Sequence, residues 1–246
     1  VTRLFASDLH LDEARPEITD QFLDLLTGAA RDAQSLYLLG DLFEVWLGDD
    51  EPGALGERVI AGLAALSAAG VSLFVMQGNR DFLLGERFCE RAGASLMTDP
   101  TIVTIGDERV LVTHGDALCT GDTAYQRLRS LVRNPDVQRA FQALPIDRRR
   151  ALAEQARAGS RAHLAAADEY ITDVSQDAVE RALQAAGVNT LLHGHTHRPA
   201  VHRFRAGDQD CTRIVLGDWH RAGSVLRWDD EGYELMRMPR GGADSG

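Results

Sequence analysis

Residues 36–46 read LYLLGDLFEVW: a four-residue apolar run, Leu36 to Leu39, stops at Gly40 and gives way to a turn led by Asp41. A run this short cannot make an isolated helix, and its unbroken apolar character fits a strand buried on both faces. The same punctuation recurs along the chain. Leu4 to Ser7 precedes Asp8, Leu73 to Met76 precedes Gln77, Val110 to Thr113 precedes His114, and Thr190 to Leu192 precedes His193. Between the first three runs lie helical stretches, about 17–33 and 55–69, the former with Ile18, Phe22, Leu25 and Leu26 at spacings of three and four. Alternation of strand and helix predicts an α/β fold with a largely parallel sheet. In such sheets ligand-binding residues gather beyond the carboxyl ends of the strands, where all these polar turns fall.

Asp8, Asp41, Asn79 and His114 are separated by 33, 38 and 35 residues, each interval fitting one crossover or its equivalent. His114 to His195 spans 81 residues, about forty-five more than a crossover needs. The extra stretch has helical spacing: Tyr125, Leu128, Leu131 and Val132; Val137, Phe141 and Leu144; then Ile171, Val174, Val179 and Leu183. Asn134 and Pro135 read as an N-cap and a first helical residue. These features predict a helical cap over 121–186, inserted into a core formed by 1–120 and 187–238. Alternating runs around Val201, Ile214 to Leu216, Val225 to Trp228 and Tyr233 to Met236 predict antiparallel strands, with turns at Gly207-Asp208 and Glu231-Gly232. The tail, 239–246, is expected to be disordered.

With 246 residues and 44% hydrophobic content, the chain suits one large domain carrying an insertion. No run of eighteen uncharged apolar residues occurs, and a strand-like segment starts at Arg3, so a spanning helix and a signal peptide are not expected and the chain reads as cytoplasmic. Cys89, Cys119 and Cys211 are widely spaced and odd in number, which suggests neither a disulfide framework nor a cysteine metal knuckle. A net charge of -11 argues against sequence-independent nucleic-acid binding. The charge is segregated, however. All 26 basic residues are Arg, and 127–161 holds nine of them against Asp136, Asp147 and Glu154.

Five motifs stand at the strand ends: DLH (Asp8 to His10), GDLFEVW (Gly40 to Trp46), GNRD (Gly78 to Asp81), HGD (His114 to Asp116) and GHTH (Gly194 to His197). In this order they resemble the calcineurin-like metallophosphoesterase family, over most of the chain. That resemblance implies a β-sandwich flanked by helices, so the sheet would be divided into two packed layers. On a strand Asp8 and His10 would share a face and reach one ion, while His195 and His197 straddle a turn. The family pattern assigns Asp8, His10, Asp41 and His197 to a first metal and Asp41, Asn79, His114 and His195 to a second, with Asp41 bridging. Mixed oxygen and imidazole ligands suit Mn²⁺, Fe²⁺ or Zn²⁺ better than Ca²⁺, and two Mn²⁺ per chain are the working expectation. Two such ions, less two aspartates and a bridging hydroxide, leave a charge of about +1 to attract phosphate. Asn79, Arg80 and Asp41 are the expected catalytic residues, Arg80 clamping equatorial phosphate oxygens. Asp81 and Asp116 are expected to orient turns, and His163, His193, His202 and His220 to be structural or surface residues.

Longer stretches, GDLFEVWLGDD (40–50), GNRDFLLGERF (78–88), HGDALCTGDTAYQRLR (114–129), HGHTHRPAVH (193–202) and VLGDWHRAGSVL (215–226), are similar to the UDP-2,3-diacylglucosamine diphosphatases of the lipid A pathway. This likeness implies hydroxide attack at the α-phosphorus of UDP-2,3-diacylglucosamine, giving UMP and 2,3-diacylglucosamine 1-phosphate. Asp122, Tyr125, Arg157, Ser160 and Arg161 would then bind substrate together with Asn79, Arg80 and His195. Where that family usually has Asn and Lys, four and seven residues beyond Ser160, this chain has Leu164 and Ala167. An apolar cap could hold acyl chains, and its Arg-rich surface could meet the anionic cytoplasmic face of a bacterial inner membrane as a peripheral protein. The chain is expected to be a monomer. Another nucleotide-sugar or phosphodiester hydrolase on the same scaffold, or a scaffolding protein without activity, are the alternatives.

Overall fold

The computed structural model describes residues 1–166, 173–220 and 222–238, with the side chains of 160–166 excepted. Strands β1 (Arg3–Ala6), β2 (Ser35–Leu39) and β3 (Ser72–Met76) form at the three N-terminal apolar runs, joined by α1 (Pro16–Thr27) and α2 (Gly53–Ala68). Pro16 starts α1 with its φ already set, and Ile18, Phe22, Leu25 and Leu26 are its buried stripe. The first helix was expected to reach residue 33 but ends at Thr27. Gly28, at φ -106° and ψ -113°, leaves the helical basin, and Ala29–Asp32 forms a single 3₁₀ turn.

Strand and helix alternation alone pointed to one parallel sheet; the strands form two, as the family resemblance implied. After β3 the chain runs through α3 (Glu86–Ala92), β4 (Ala94–Met97), β5 (Thr101–Ile105) and β6 (Glu108–Thr113). β4 adds to the open edge of the first sheet and β5 opens the second, so the interval from Asn79 to His114 is a change of sheet and not one crossover. There follow α4 (Thr123–Val132), α5 (Pro135–Gln142), α6 (Ile146–Ala166) and α7 (Gln176–Ala186). The chain closes with β7 (Thr190–His193), β8 (Ala200–Ala206), β9 (Gln209–Val215), β10 (Gly223–Asp229) and β11 (Gly232–Met238). The first sheet has the order β11-β10-β1-β2-β3-β4 and the second β5-β6-β7-β9-β8. β1 to β4 are parallel, as are β6, β7 and β9, while β10 and β11, β8 and β5 run antiparallel to their neighbours.

Continuous apolar runs are explained by cover on both faces. Phe5, Tyr37, Leu39 and Met76 of the first sheet meet Val110, Val112, Leu192 and Ile214 of the second. Phe5, Tyr37 and Phe74 are register partners across β1, β2 and β3, and their rings stack at 4.6 Å. On the outer side Leu4, Leu36, Leu38, Leu73 and Val75 pack against α1, α2 and α3. Each such Leu or Phe contributes roughly 1.5–3 kcal/mol by leaving water.

α7 falls inside the stretch expected to form the cap, yet its Val179 and Leu183 are buried with Leu111, Leu191 and Cys211 on the outer face of the second sheet. It covers that sheet as α1 to α3 cover the first. α4, α5 and α6 behave differently: none of their described side chains is fully buried in the three apolar clusters, and Phe141 packs at the margin of one. Ser160, Arg161, Leu164, Ala167 and the tail 239–246 lie outside the residues whose side chains are described.

The carboxyl ends of β1, β2, β3, β6 and β7 meet at one edge of the sandwich, where their loops bond to one another. Asp8 N donates to Gly40 O (3.1 Å), His10 N to Asp41 O (3.0 Å) and Gly194 N to His114 O (3.0 Å). Asp81 is fully buried and accepts N–H groups from Gly78 (2.7 Å), Leu42 (2.7 Å), Asp41 (3.2 Å) and Phe43 (3.3 Å). One carboxylate therefore fixes the loops after β2 and β3. Asp81→Ala leaves those donors without an acceptor, at about 1–3 kcal/mol each. A fall in melting temperature of at least roughly 10 °C is expected by thermal denaturation, and an unchanged melting curve would show that Asp81 does not hold these loops.

Candidate metal centre

The five non-glycine residues with positive φ among the described residues are Asp8 (55°), His10 (49°), Asp41 (53°), His195 (66°) and His197 (56°). Every one belongs to the set read from the sequence as metal ligands. Backbone strain of this kind costs of order 1–3 kcal/mol per residue and persists only where the surroundings over-determine it. Asp8 and His10 do not lie on a strand, as alternation had suggested: β1 ends at Ala6, and the left-handed turns after it bring the two side chains together.

Close packing of the loops sets what fits between them. A Cβ on Gly78 would fall 2.0 Å from Asp41 Oδ1 and 2.2 Å from Asp41 N. On Gly194 it would fall 2.2 Å from Ser7 Oγ and 2.3 Å from Asp8 Oδ2. The glycines of GNRD and GHTH are there so that neighbouring loops can touch.

Asp8, His10 and His197 offer ligand atoms that all lie within 4.8 Å of one another, and so do Asp8, Asp41 and His114. His10 Nε2 is 3.2 Å from His197 Nε2 and 3.7 Å from Asp41 Oδ2, and His197 Nε2 is 3.3 Å from Asp8 Oδ1. His114 Nε2 is 2.9 Å from Asn79 Oδ1 and 3.7 Å from Asp41 Oδ1. The His195 ring lies 5.1 Å from that of His114 and 6.0 Å from Tyr125, centre to centre. All seven expected ligands thus converge on one spot.

Two observations test whether these residues suit divalent cations. Among the described residues His195 Nδ1 is buried without a hydrogen-bond partner, and Asp8 Oδ1 is buried with the His197 imidazole 3.3 Å away, an expensive condition unless another group satisfies them. Two imidazole nitrogens, moreover, face each other at 3.2 Å, where a cation must lie between lone pairs or one ring must carry a proton. Donor chemistry and geometry both fit.

The field at the site points the same way. Burial opposes charge on His114, but Asp41, Asp8, Asp116 and Asp99 outweigh it and push the imidazole up to about 9. His197 rises too, burial being outweighed by its contact with Asp8. Burial would raise Asp8, yet the His197 hydrogen bond and the charges of His197, His114 and His10 hold it well below the usual carboxylate range. His195 falls to about 4 through burial and the neighbouring His114. Surroundings that draw protons onto His114 and His197 will equally draw metal cations in their place, and His195 is left neutral, as a ligand must be.

Further polar groups hold these side chains. Ser7 Oγ donates to Asp8 Oδ2 (2.6 Å), as does His195 N (2.8 Å); Arg80 N donates to Asp41 Oδ1 (2.8 Å), and His114 Nδ1 donates to Leu39 O (3.0 Å). Glu44 and Asp218, which sequence reasoning missed, lie 2.8 Å from His10 Nδ1 and 3.4 Å from His197 Nδ1. Nothing in their spacing distinguishes them from ordinary turn acids. His220 stacks on His10, ring centres 5.4 Å apart. His193 is buried, its Nδ1 2.8 Å from Gly194 O and its Nε2 3.3 Å from Arg213, while His202 is exposed.

The expected substrate contacts are placed as follows. Arg80 and Tyr125 line a cavity of about 280 Å³ that also touches Asn79, Glu44 and Arg157. Its walls are largely apolar: Trp46, Phe82, Leu83, Leu128, Val132, Val137, Phe141 and Leu152. Among the described residues the Arg80 guanidinium makes no ion pair. Asp122 caps α4, accepting from Tyr125 N (2.9 Å). Tyr125 donates its hydroxyl to the buried Asp116 (2.6 Å), which also binds Arg129 Nε (2.8 Å). Burial and the Asp116 charge hold the phenol well above the usual range.

Comparison with known proteins accords with this geometry. The family profile described as Calcineurin-like phosphoesterase matches residues 1–199. A protein of Xanthomonas oryzae pv. oryzae (strain PXO99A) named UDP-2,3-diacylglucosamine hydrolase is 50% identical over 245 residues, covering 97% of this chain and 99% of its own. One of the same name from Pseudomonas fluorescens (strain SBW25) is 49% identical over 232 residues, covering 94% and 93%. A solved structure described as a novel archaeal phosphodiesterase superposes with a TM-score of 0.50 at 13% identity, over 97% of this chain and 100% of that one, a likeness of fold. The chain belongs to the calcineurin-like phosphoesterases, and relatives that match it over nearly its whole length are named UDP-2,3-diacylglucosamine hydrolase.

Proposed function

We propose that the chain hydrolyses the diphosphate bond of UDP-2,3-diacylglucosamine, yielding UMP and 2,3-diacylglucosamine 1-phosphate, with two divalent cations, Mn²⁺ the working choice, held by Asp8, His10, Asp41, Asn79, His114, His195 and His197. The observation that carries this reading is an apolar cavity opening directly onto Asn79 and Arg80. A hydrolase of small phosphoesters has no use for such walls. Full-length relationship to proteins named for the diacylated substrate supports the same choice.

When bound, the cations would supply Lewis acidity toward a phosphoryl oxygen and lower the pKa of a water between them. Asp41, with oxygens toward both His10 and His114, would belong to both metal sites. Arg80, anchored through its backbone to Asp41 and with no ion pair at its guanidinium among the described residues, would bind phosphate oxygens and stabilise the charge that develops on them. Tyr125, fixed by Asp116, would hold the face of His195 and exclude water from that side. The cavity is small beside sites of roughly 300–1,000 Å³ that enclose whole ligands. Leu128 and Leu152 line it while remaining 48% and 45% exposed, a rim on which acyl chain could rest outside the cavity.

We read α4 to α6 as the cap and propose peripheral binding of its outer surface to an anionic membrane. No described helix is long and apolar enough to cross a membrane. Arg127, Arg139, Arg148 and Arg150 are exposed on these helices beside Leu128, Leu131 and Leu152.

Three outcomes are expected. Asp41→Ala, with metal content measured, should lower kcat by at least about 10³-fold on UDP-2,3-diacylglucosamine in Mn²⁺, and full activity would sink the mechanism. UDP-GlcNAc should be turned over with a kcat/KM at least about 10²-fold below the diacylated substrate, as expected when several buried methylenes at roughly 0.8 kcal/mol each are lost. Equal efficiency would favour a general nucleotide-sugar hydrolase. In vesicle sedimentation the protein should pellet with anionic and not neutral lipid, in a salt-sensitive way, each arginine near the surface contributing about 1 kcal/mol; identical pelleting would remove the membrane proposal.

A further inference from the structure

Three imidazoles of the centre have an oxygen beside their second ring nitrogen, and the three oxygens belong to different kinds of group. His114 Nδ1 meets a backbone carbonyl, Leu39 O, at 3.0 Å. His197 Nδ1 meets Asp218 Oδ2 at 3.4 Å, and the other oxygen of Asp218 accepts the backbone N–H of His220 (2.8 Å) within the same loop. Among the described residues neither connection reaches another helix. His10 Nδ1 meets Glu44 Oε2 at 2.8 Å, but Glu44 Oε1 continues outward to Arg157 Nη2 of α6 at 3.3 Å. The same nitrogen lies 3.6 Å from Asp12 Oδ2, two residues beyond His10. Side-chain exposure along this line is 5% at His10, 17% at Glu44 and 29% at Arg157, so the ionic contacts are partly shielded from water.

The loop that carries Glu44 is held to α6 at a second point. Arg149, almost fully buried, binds both oxygens of Asp50 at 2.7 Å and reaches Leu47 O at 3.2 Å. Asp41, Glu44, Leu47 and Asp50 follow one another in a single ten-residue segment after β2. α6 therefore leans on the segment that presents Asp41, and only the inner clamp, through Glu44, touches a metal-site imidazole.

We propose that Glu44 is a positioning residue joining the helices over the cavity to the metal centre: its carboxylate orients His10 with one oxygen and docks α6 through Arg157 with the other. This rests on the reading of the centre as a divalent-cation site. A carboxylate behind a ligating imidazole fixes which nitrogen carries the proton and increases the basicity of the other. Because Glu44 serves both partners, cation affinity at His10 and docking of α6 are linked, and the linkage is reciprocal. Arg157, expected from sequence to bind substrate, is on this account occupied by Glu44 and Asp12.

The test is Mn²⁺ titration followed by electron paramagnetic resonance on the whole protein, with circular dichroism melts to establish that each variant is folded. Glu44→Ala should weaken one of two Mn²⁺ sites by about 10–100-fold, and Glu44→Gln, which restores an acceptor for His10 but not the charge for Arg157, should recover part of that loss. Arg157→Met, which keeps an apolar stem but touches no metal-site imidazole, should weaken the same site by about 5-fold, the lower range of coupling between linked sites. A folded Glu44→Ala protein that titrates like wild type would overturn the positioning role. Weakening in Glu44→Ala with none in Arg157→Met would overturn the link to α6. Failure of the wild-type protein to bind Mn²⁺ would instead overturn the metal reading on which this one stands.

Discussion

Left-handed backbone at Asp8, His10, Asp41, His195 and His197 is the constraint on which the centre depends. None of these residue types prefers that conformation strongly enough to adopt it unaided, and five together cost several kcal/mol, at roughly 1–3 each. The opposing interactions run between loops. Asp8 N to Gly40 O, His10 N to Asp41 O, Leu11 N to Leu42 O and Gly194 N to His114 O stitch the strand ends together, and Asp81 gathers four more N–H groups. Each loop is thus held by its neighbour's backbone, and the glycines at 78 and 194 let those backbones approach. Side chains held this way are organised by the fold itself, which is what the proposed cation site requires.

Segregated charge along the sequence acquires a physical explanation. The Arg-rich stretch does not simply present a basic surface. Arg129 is spent on Asp116 and lies near Asp99, Arg133 on the carbonyls of Gln77 and Gly78, Arg149 on Asp50, and Arg157 on Glu44 and Asp12. The helices are cationic largely because the rim on which they dock is anionic. Among the described residues of the stretch this leaves Arg127, Arg139, Arg148 and Arg150 facing outward, and two of those pair with an acidic residue three positions away.

What the sequence made legible followed from strong local signals. Apolar runs ending in Ser-Asp, Gly-Asp, Gly-Asn and His-Gly located β1, β2, β3, β6 and β7 and the residues just beyond them, because strands buried on both faces carry few polar positions to blur the pattern. β4 and β5 gave no such signal: both are edge strands, half exposed, and Thr101 to Ile105 alternates too briefly to stand out. Division into two sheets was not readable from spacing, since 35 residues suit a crossover as well as an α3-β4-β5 passage between layers; family resemblance supplied it. α7 was placed with the cap because its amphipathic spacing matches that of α4, and only packing distinguishes a helix on a sheet from one beside a cavity. Glu44 and Asp218 were invisible for a related reason. Their roles exist only across loops, in distances to His10 and His197 that no linear pattern encodes.

The central claim is that these loops form one centre for two divalent cations shared through Asp41. Anomalous scattering from crystals grown with Mn²⁺ tests it most directly. Two peaks are expected, about 3.5–4 Å apart as in other paired-ion sites, one among Asp8, His10, Asp41 and His197 and the other among Asp41, Asn79, His114 and His195. A single peak, or a pair in which Asp41 contacts only one ion, would contradict it.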